Sequence, residues 1–168
     1  MFKLFLILDT EVENFRTMKV FINLLLIFSI SILSGQNNEK EEVKKAVEIF
    51  FNGFHNQDST LIKSTASPAI IMQTIGRDKD GASVVKTSDF NNFLKSIVSI
   101  PDTTKFQEKL LSYQIQIDGS MANAWTPYEF WINDKLSHCG VNSFQLHKQD
   151  GTWKIIYLID TRRRENCN

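Results

Sequence analysis

Three turn signals in the last third of the chain restrict its fold more than any other feature. Asp150-Gly151 separates Asn142–Lys148 from Thr152–Ile159, two runs rich in β-branched and aromatic residues. Asp-Gly between such runs predicts a tight hairpin, because both central residues of that turn need positive φ. Asp118-Gly119 predicts a second hairpin after Leu110–Ile117, and Asn133-Asp134-Lys135 a third after Ala124–Ile132. The result is a four-strand antiparallel meander. Four strands are too few for a sandwich, so one face needs a cover of helices.

The segment upstream supplies that cover. Val43, Ala46, Val47, Phe50, Phe51 and Phe54 recur at three- and four-residue steps from Glu39 onward, with Lys44, Lys45 and Glu48 on the opposite side. This spacing predicts an amphipathic helix ending between Asn52-Gly53 and Asn56. Asp58-Ser59 caps a short second helix through Lys63, and Ser88-Asp89 caps a third that Pro101 stops. Between them, the apolar run from Pro68 to Ile75 and the pair Val84-Val85 predict a short hairpin around the charged turn 76–81.

Further upstream the composition changes. Met18-Lys19 precedes an almost wholly apolar run from Val20 to Leu33, and Ser34-Gly35-Gln36 follows. That is the layout of a secretory signal peptide at 18–35. The acidic residues Asp9, Glu11 and Glu13 make 1–17 a spurious extension ahead of a start at Met18. The expected product is a single domain over 36–168, secreted or periplasmic, with no stable membrane anchor once the leader is removed. Lys and Arg together number 19 and Asp and Glu 19, so no basic field exists to attract nucleic acid. No phosphate loop, nucleophile elbow or dinucleotide fingerprint occurs, and no cofactor is expected. No pair of residues has metal-ligand spacing: His138 and Cys139 are adjacent and point apart on a strand.

The element order, together with Phe50-Phe-Asn-Gly-Phe-His-Asn-Gln-Asp58 and Gly151-Thr-Trp-Lys-Ile155, resembles the nuclear transport factor 2-like superfamily. Within it the chain looks closest to the SnoaL-like and lumazine-binding-like branch. The resemblance covers about residues 39–162. It implies an α+β cone (also called cystatin-like), a strongly bent antiparallel sheet curled around the first helix with a pocket at its open end. Superfamily members include isomerases, dehydratases, cyclases, hydrolases and non-catalytic binders, so fold leaves function open.

Strand alternation sorts the side chains independently of that resemblance. Counting through two-residue turns puts Leu111, Ile115, Ala124, Tyr128, Cys139, Val141, Ser143, Ile156, Leu158, Asp160 and Arg162 on the concave face. Trp125, Trp131, His138, Asn142, Phe144, Trp153 and Ile155 fall on the convex face, which three Trp suit to burial in a homodimer. A β-bulge would flip part of either set. Asp160, Arg162 and Tyr128 then cluster at the pocket mouth, joined by His55 from the end of the first helix as a ligand-binding residue. Asp as general base with Tyr as donor is a pairing that superfamily isomerases use, so the resemblance implies Asp160 with Tyr128; His138 is the other candidate base. His138 lies across the sheet from Asp160 in this count. The two cysteines, Cys139 and Cys167, form a disulfide in an exported chain, with Cys139 opposite Arg162; a reactive Cys139 is the rival reading.

The expected function is binding of a small, largely apolar molecule in the cone. The alternatives are a SnoaL-like enzyme (isomerase, dehydratase or hydrolase) and a protein-interaction module that uses the Trp-bearing face.

Overall fold

The computed structural model describes residues 38–167. The chain forms two units, Met1–Glu39 and Lys40–Asn168. The expected leader and the start at Met18 lie outside the described residues. The second unit carries the sheet and the helices packed on it.

Helix α1 (38–55) buries the face that its sequence spacing predicts: Val43, Val47, Phe50, Phe51 and Phe54 are all within the core. Its outer side carries the pairs Lys44–Glu41 and Lys44–Glu48. Gln57, in the left-handed region at φ 56°, ends the helical run. Its side-chain amide donates to the carbonyls of Ile97 and Ile100 at 2.9 and 2.7 Å. Those carbonyls lie at the end of helix α3 (Phe90–Val98), where backbone acceptors lack partners within the helix. Asp58 caps α2 (Ser59–Thr65) by accepting from Thr60 and Leu61 N–H, and Asp89 caps α3 by accepting from Asn92 N–H. Gly53 is where α1 and α2 touch: a Cβ there would lie 2.8 Å from Ile62 N.

Seven strands make one curved, unclosed sheet. They are β1 (Ala66–Arg77), β2 (Ser83–Ser88), β3 (Phe106–Leu110), β4 (Gln114–Asp118), β5 (Met121–Ile132), β6 (Lys135–Gln149) and β7 (Thr152–Thr161). Their order is β2-β1-β7-β6-β5-β3, with β4 also on β5. The three hairpin signals stand where the sequence put them: Asn133, Asp134, Asp150, Gly119 and Gly151 all have positive φ. The sheet is mixed rather than purely antiparallel, because β1 runs parallel to β7. The expected strand Leu110–Ile117 is also broken. Leu110 pairs with Tyr128 and Gln114 with Trp125, so three residues on one side face two on the other. Leu111, expected inside, is therefore expelled and 53% exposed.

Two further irregularities correct the face assignment. Trp131 pairs with Leu136 but Phe130 with His138, which leaves Ser137 as an extra residue. The rest of β6 is thereby inverted relative to simple counting. Asn142, Phe144 and Leu146 turn into the core, whereas Cys139, Val141 and Ser143 face outward. Gln145 pairs with Tyr157 but Leu146 with Ile155, so Ile156 is the extra residue of β7 and is 39% exposed. Trp153 and Ile155, before this second bulge, are core residues at 3% and 0% exposure. After it, Leu158 and Asp160 face inward as expected. A bulge changes parity by one, and two bulges restore it.

Cys139 and Cys167 form a disulfide with Cα atoms 5.7 Å apart. The second bulge shifts the partner by one residue, so Cys139 exchanges both backbone hydrogen bonds with Arg163 at 2.9 Å rather than standing opposite Arg162. Among the described residues no cysteine is free. The bond closes 28 residues of separation and pins the tail beyond β7 to β6. Replacing both cysteines by serine is expected to cost about 3 kcal/mol of unfolding free energy in denaturant titration, the usual scale for a loop of this length.

Candidate functional site

The inner face of the sheet is apolar except for one row. Thr126 on β5 pairs with Asn142 on β6, Asn142 with Asp160 on β7, and Asp160 with Thr74 on β1. Directly paired residues point to the same face, so these four side chains cross the sheet side by side. Asp160 is the centre of the row. Its Oδ1 accepts from Thr74 Oγ1 at 2.6 Å. Its Oδ2 accepts from Arg162 Nε at 2.8 Å and Tyr128 OH at 3.1 Å. The pair with Arg162 is charge-assisted and nearly enclosed on the Asp160 side, whose side chain is 11% exposed.

Gly140 makes this geometry possible. It pairs with Tyr128 in the register, and a Cβ there would meet Thr161 O at 1.8 Å and Tyr128 Cε1 at 2.8 Å. The missing side chain lets the Tyr128 ring lie across β6. Its hydroxyl then lies 3.0 Å from the Thr161 carbonyl as well as within reach of Asp160. Burial, then the charge of Asp160, pushes the phenol far above its ordinary range, so it stays protonated and acts as a donor. Burial works against the Arg162 charge. The neighbouring Asp160 outweighs it and holds the guanidinium above its usual value.

Glu108 faces this row from β3, with its Oε1 accepting from Asn142 Nδ2 at 2.7 Å. It keeps some contact with solvent in the cavity but is surrounded by protein. That burial pushes its carboxyl up to about 7; the Asn142 bond opposes the shift, Asp160 adds to it and Arg162 reduces it. The backbone N–H of Glu108 donates to His55 Nε2 at 2.9 Å. His55 thus ties an edge strand to α1 and lines a separate cavity of about 320 Å³ with Phe106 and Trp131 rather than the one beside Asp160; burial lowers its pKa, which favours the neutral ring this bond requires.

Glu108, Asn142, Asp160, Arg162 and Thr74 form the polar wall of a cavity of about 90 Å³. Phe50, Phe51, Phe54, Phe93, Met72 and Leu158 complete it. Of the expected residues, Asp160, Arg162 and Tyr128 come together. His138 joins their side of the sheet, contrary to the simple count, because of the bulge at Ser137. Its ring lies 5.8 Å from that of Tyr128 and 4.8 Å from that of Phe130, and burial followed by the charge of Arg162 lowers its pKa. Its Nδ1 contacts Ser137 Oγ rather than Asp160. Glu108, Asn142 and Thr74 escaped sequence reasoning. Phe106, Glu108 and Leu110 alternate with Gln107 and Lys109, and a lone acid at the apolar parity of a strand was the available signal for Glu108. Among the described residues no three His, Cys, Asp or Glu side chains gather as a metal set, and no helix is long and apolar enough to cross a membrane.

The helices and the curved mixed sheet have the nuclear transport factor 2-like, or cystatin-like, fold. Solved structures agree. An NTF2-like protein of unknown function from Shewanella baltica aligns at TM-score 0.56 and 18% identity, over 76% of this chain and 96% of that one. Rv3472 from Mycobacterium tuberculosis, also of unknown function, aligns at 0.63 and 14%, over 80% and 77%. A suspected dehydratase of the NTF2-like family from Streptomyces avermitilis aligns at 0.58 and 15%, over 76% and 98%. No family model and no curated protein matches the sequence.

Two outcomes test this geometry. Gly140→Ala is expected to force Tyr128 off Asp160 and cost at least about 2 kcal/mol, read by urea unfolding. Glu108 has a folded value near 7 against an ordinary 4.5. The folded state therefore holds the extra proton between those values, and its stability falls as pH rises through that window. Relative to the parent, Glu108→Gln is expected to gain up to about 3 kcal/mol between pH ~4.5 and ~7, measured by unfolding across the range.

Proposed function

We propose that this domain binds a small molecule with an apolar body and a polar end in the cavity between α1, α3 and the sheet. The observation that carries the reading is the pairing of a phenylalanine wall with the row Thr74–Asp160–Asn142 and Glu108. An apolar wall facing a few convergent polar groups is the composition of a ligand site, here on the small scale of about 90 Å³. Side chains bearing charge are costly on a core-facing surface, which favours a role in recognition over one in stability.

A second reading, an enzyme of the SnoaL-like type, draws support from one observation. Glu108, poised about 7, lines the same space as Asp160, and Tyr128, a permanent donor buried behind that wall, holds Asp160 through its hydroxyl. Asp160 already accepts from three donors, so as a base it must give one of them up. Glu108 has one oxygen engaged and is the freer proton carrier. His138 stands beside Tyr128.

We further place the protein outside the cytoplasm, as a secreted or periplasmic domain; the Cys139–Cys167 bond favours an oxidising compartment. The outer sheet face, where Ile71, Trp125 and Ile156 are exposed, is the surface we assign to a homodimer.

The test is native mass spectrometry, under non-reducing conditions, of protein exported through its own leader. The expected spectrum is a dimer carrying a discrete small-molecule adduct that Asp160→Asn weakens at least about tenfold. A ligand-free monomer with free thiols would oppose the pocket, dimer and export readings together. Release of the adduct chemically altered would favour the enzyme.

A further inference from the structure

Within the proposed ligand-binding reading, the charges of the cavity single out a class of ligand. Two acids and one base line it: Glu108, Asp160 and Arg162. The Arg162 charge is committed to Asp160 at 2.8 Å, and its side chain is more than half exposed at the mouth. Among the described residues no Lys or Arg lies within ion-pair distance of Glu108, whose Oε1 is held by the neutral Asn142 amide. The rings of Phe50, Phe54 and Phe93 line the same cavity. Phe93 is stacked on both of the others, with interplanar angles of 3° and centroids 6.4 and 6.2 Å away. Aromatic faces carry negative electrostatic potential and attract cations, more strongly where water is excluded. A half-buried acid with no direct counter-ion, in one cavity with a stack of phenyl rings, is a site short of one positive charge.

We propose that the cavity takes a small organic ammonium, an amine on an apolar or aromatic body, whose cation pairs with Glu108 and lies against the phenylalanine stack. Where Glu108 carries a proton, the entering ammonium displaces it to solvent, and a carboxylate–ammonium pair replaces the carboxylic acid. Above pH ~7 the carboxylate is already present and nothing is released. Asp160 on β7, Arg162 just after it, Tyr128 on β5, His138 on β6 and His55 on α1 are the other titratable groups around Glu108. The opposing charges of Asp160 and Arg162 offset one another there. An anionic ligand would meet both acids with only the committed Arg162 to receive it.

The experiment titrates the intact disulfide-bonded domain with benzylammonium, benzyl alcohol and benzoate at pH 6, 7 and 8, following the Asn142 side-chain amide by NMR. The amine keeps its proton throughout that range. Benzylammonium is expected to bind about tenfold more tightly than the alcohol at pH 8, the scale of one charge-assisted hydrogen bond. Its affinity is expected to drop about tenfold from pH 8 to pH 6 as Glu108 gains its proton, while that of the alcohol stays level. In Glu108→Gln the amine and the alcohol should bind equally and without pH dependence. If the variant does not fold, the pH series on the parent protein still decides. Equal binding of amine and alcohol by the parent, or a preference for benzoate, overturns the ammonium assignment and leaves the pocket standing on the alcohol. Failure of all three to bind overturns both.

Discussion

One unpaired residue, Ser137, sets the chemistry of the inner face. Without it, β6 would keep the parity of its hairpin, and Cys139, Val141 and Ser143 would look into the cone. With it, Asn142, Phe144 and Leu146 do. Phe144 and Leu146 then close the core against α1, and Asn142 is placed beside Asp160. Strand parity leaves no partial outcome, since a shift by one residue moves a whole segment to the opposite face. A second bulge at Ile156 realigns β7 so that Trp153 and Ile155 fill the core while Asp160 still points inward. The bent sheet and the polar row thus have a common origin, because bulges both curve a strand and re-aim its side chains.

Around that frame the site is held from several directions. Thr74 comes from the parallel strand, Tyr128 crosses the space left by Gly140, and Arg162 follows β7 into the tail. The tail is itself fixed to β6 by the Arg163 backbone bridge and the Cys139–Cys167 bond. Covalent structure therefore ends next to the ion pair that neutralises Asp160. Glu108 belongs to a different regime: it stands on an edge strand, anchored to α1 through His55 and to β6 through Asn142. Its proton is the variable part of a site whose other charges are paired. This contrast separates the groups that shape the cavity from the one whose proton is exchangeable near neutral pH.

Helix spacing, caps and turn chemistry were legible because each is local. Val43 to Phe54 mark the buried side of α1, Asp58 and Asp89 cap the helices they precede, and positive-φ turns stand at Gly119, Asn133-Asp134 and Asp150-Gly151. A disulfide between the two cysteines was likewise within reach. Tyr128, Asp160 and Arg162 could be grouped because β5 and β7 are joined through the hairpins and Arg162 follows two residues after Asp160. His138 and Asn142 were put on the outer face because no local pattern marks an extra residue within a continuous run such as Lys135–Gln149.

The amino-acid sequence by itself determined the elements apart from the break between β3 and β4, their order, their turns and the apolar side of each helix, since those follow from the conformational preferences of neighbouring residues. Tertiary structure alone decided which side of β6 faces inward, the parallel seating of β1 on β7, and the meeting of Glu108 with Asn142. Those depend on register between distant strands, and register is chosen by the packing of the whole sheet against α1, where Phe144, Leu146 and Ile155 gain more from burial than one broken ladder position costs.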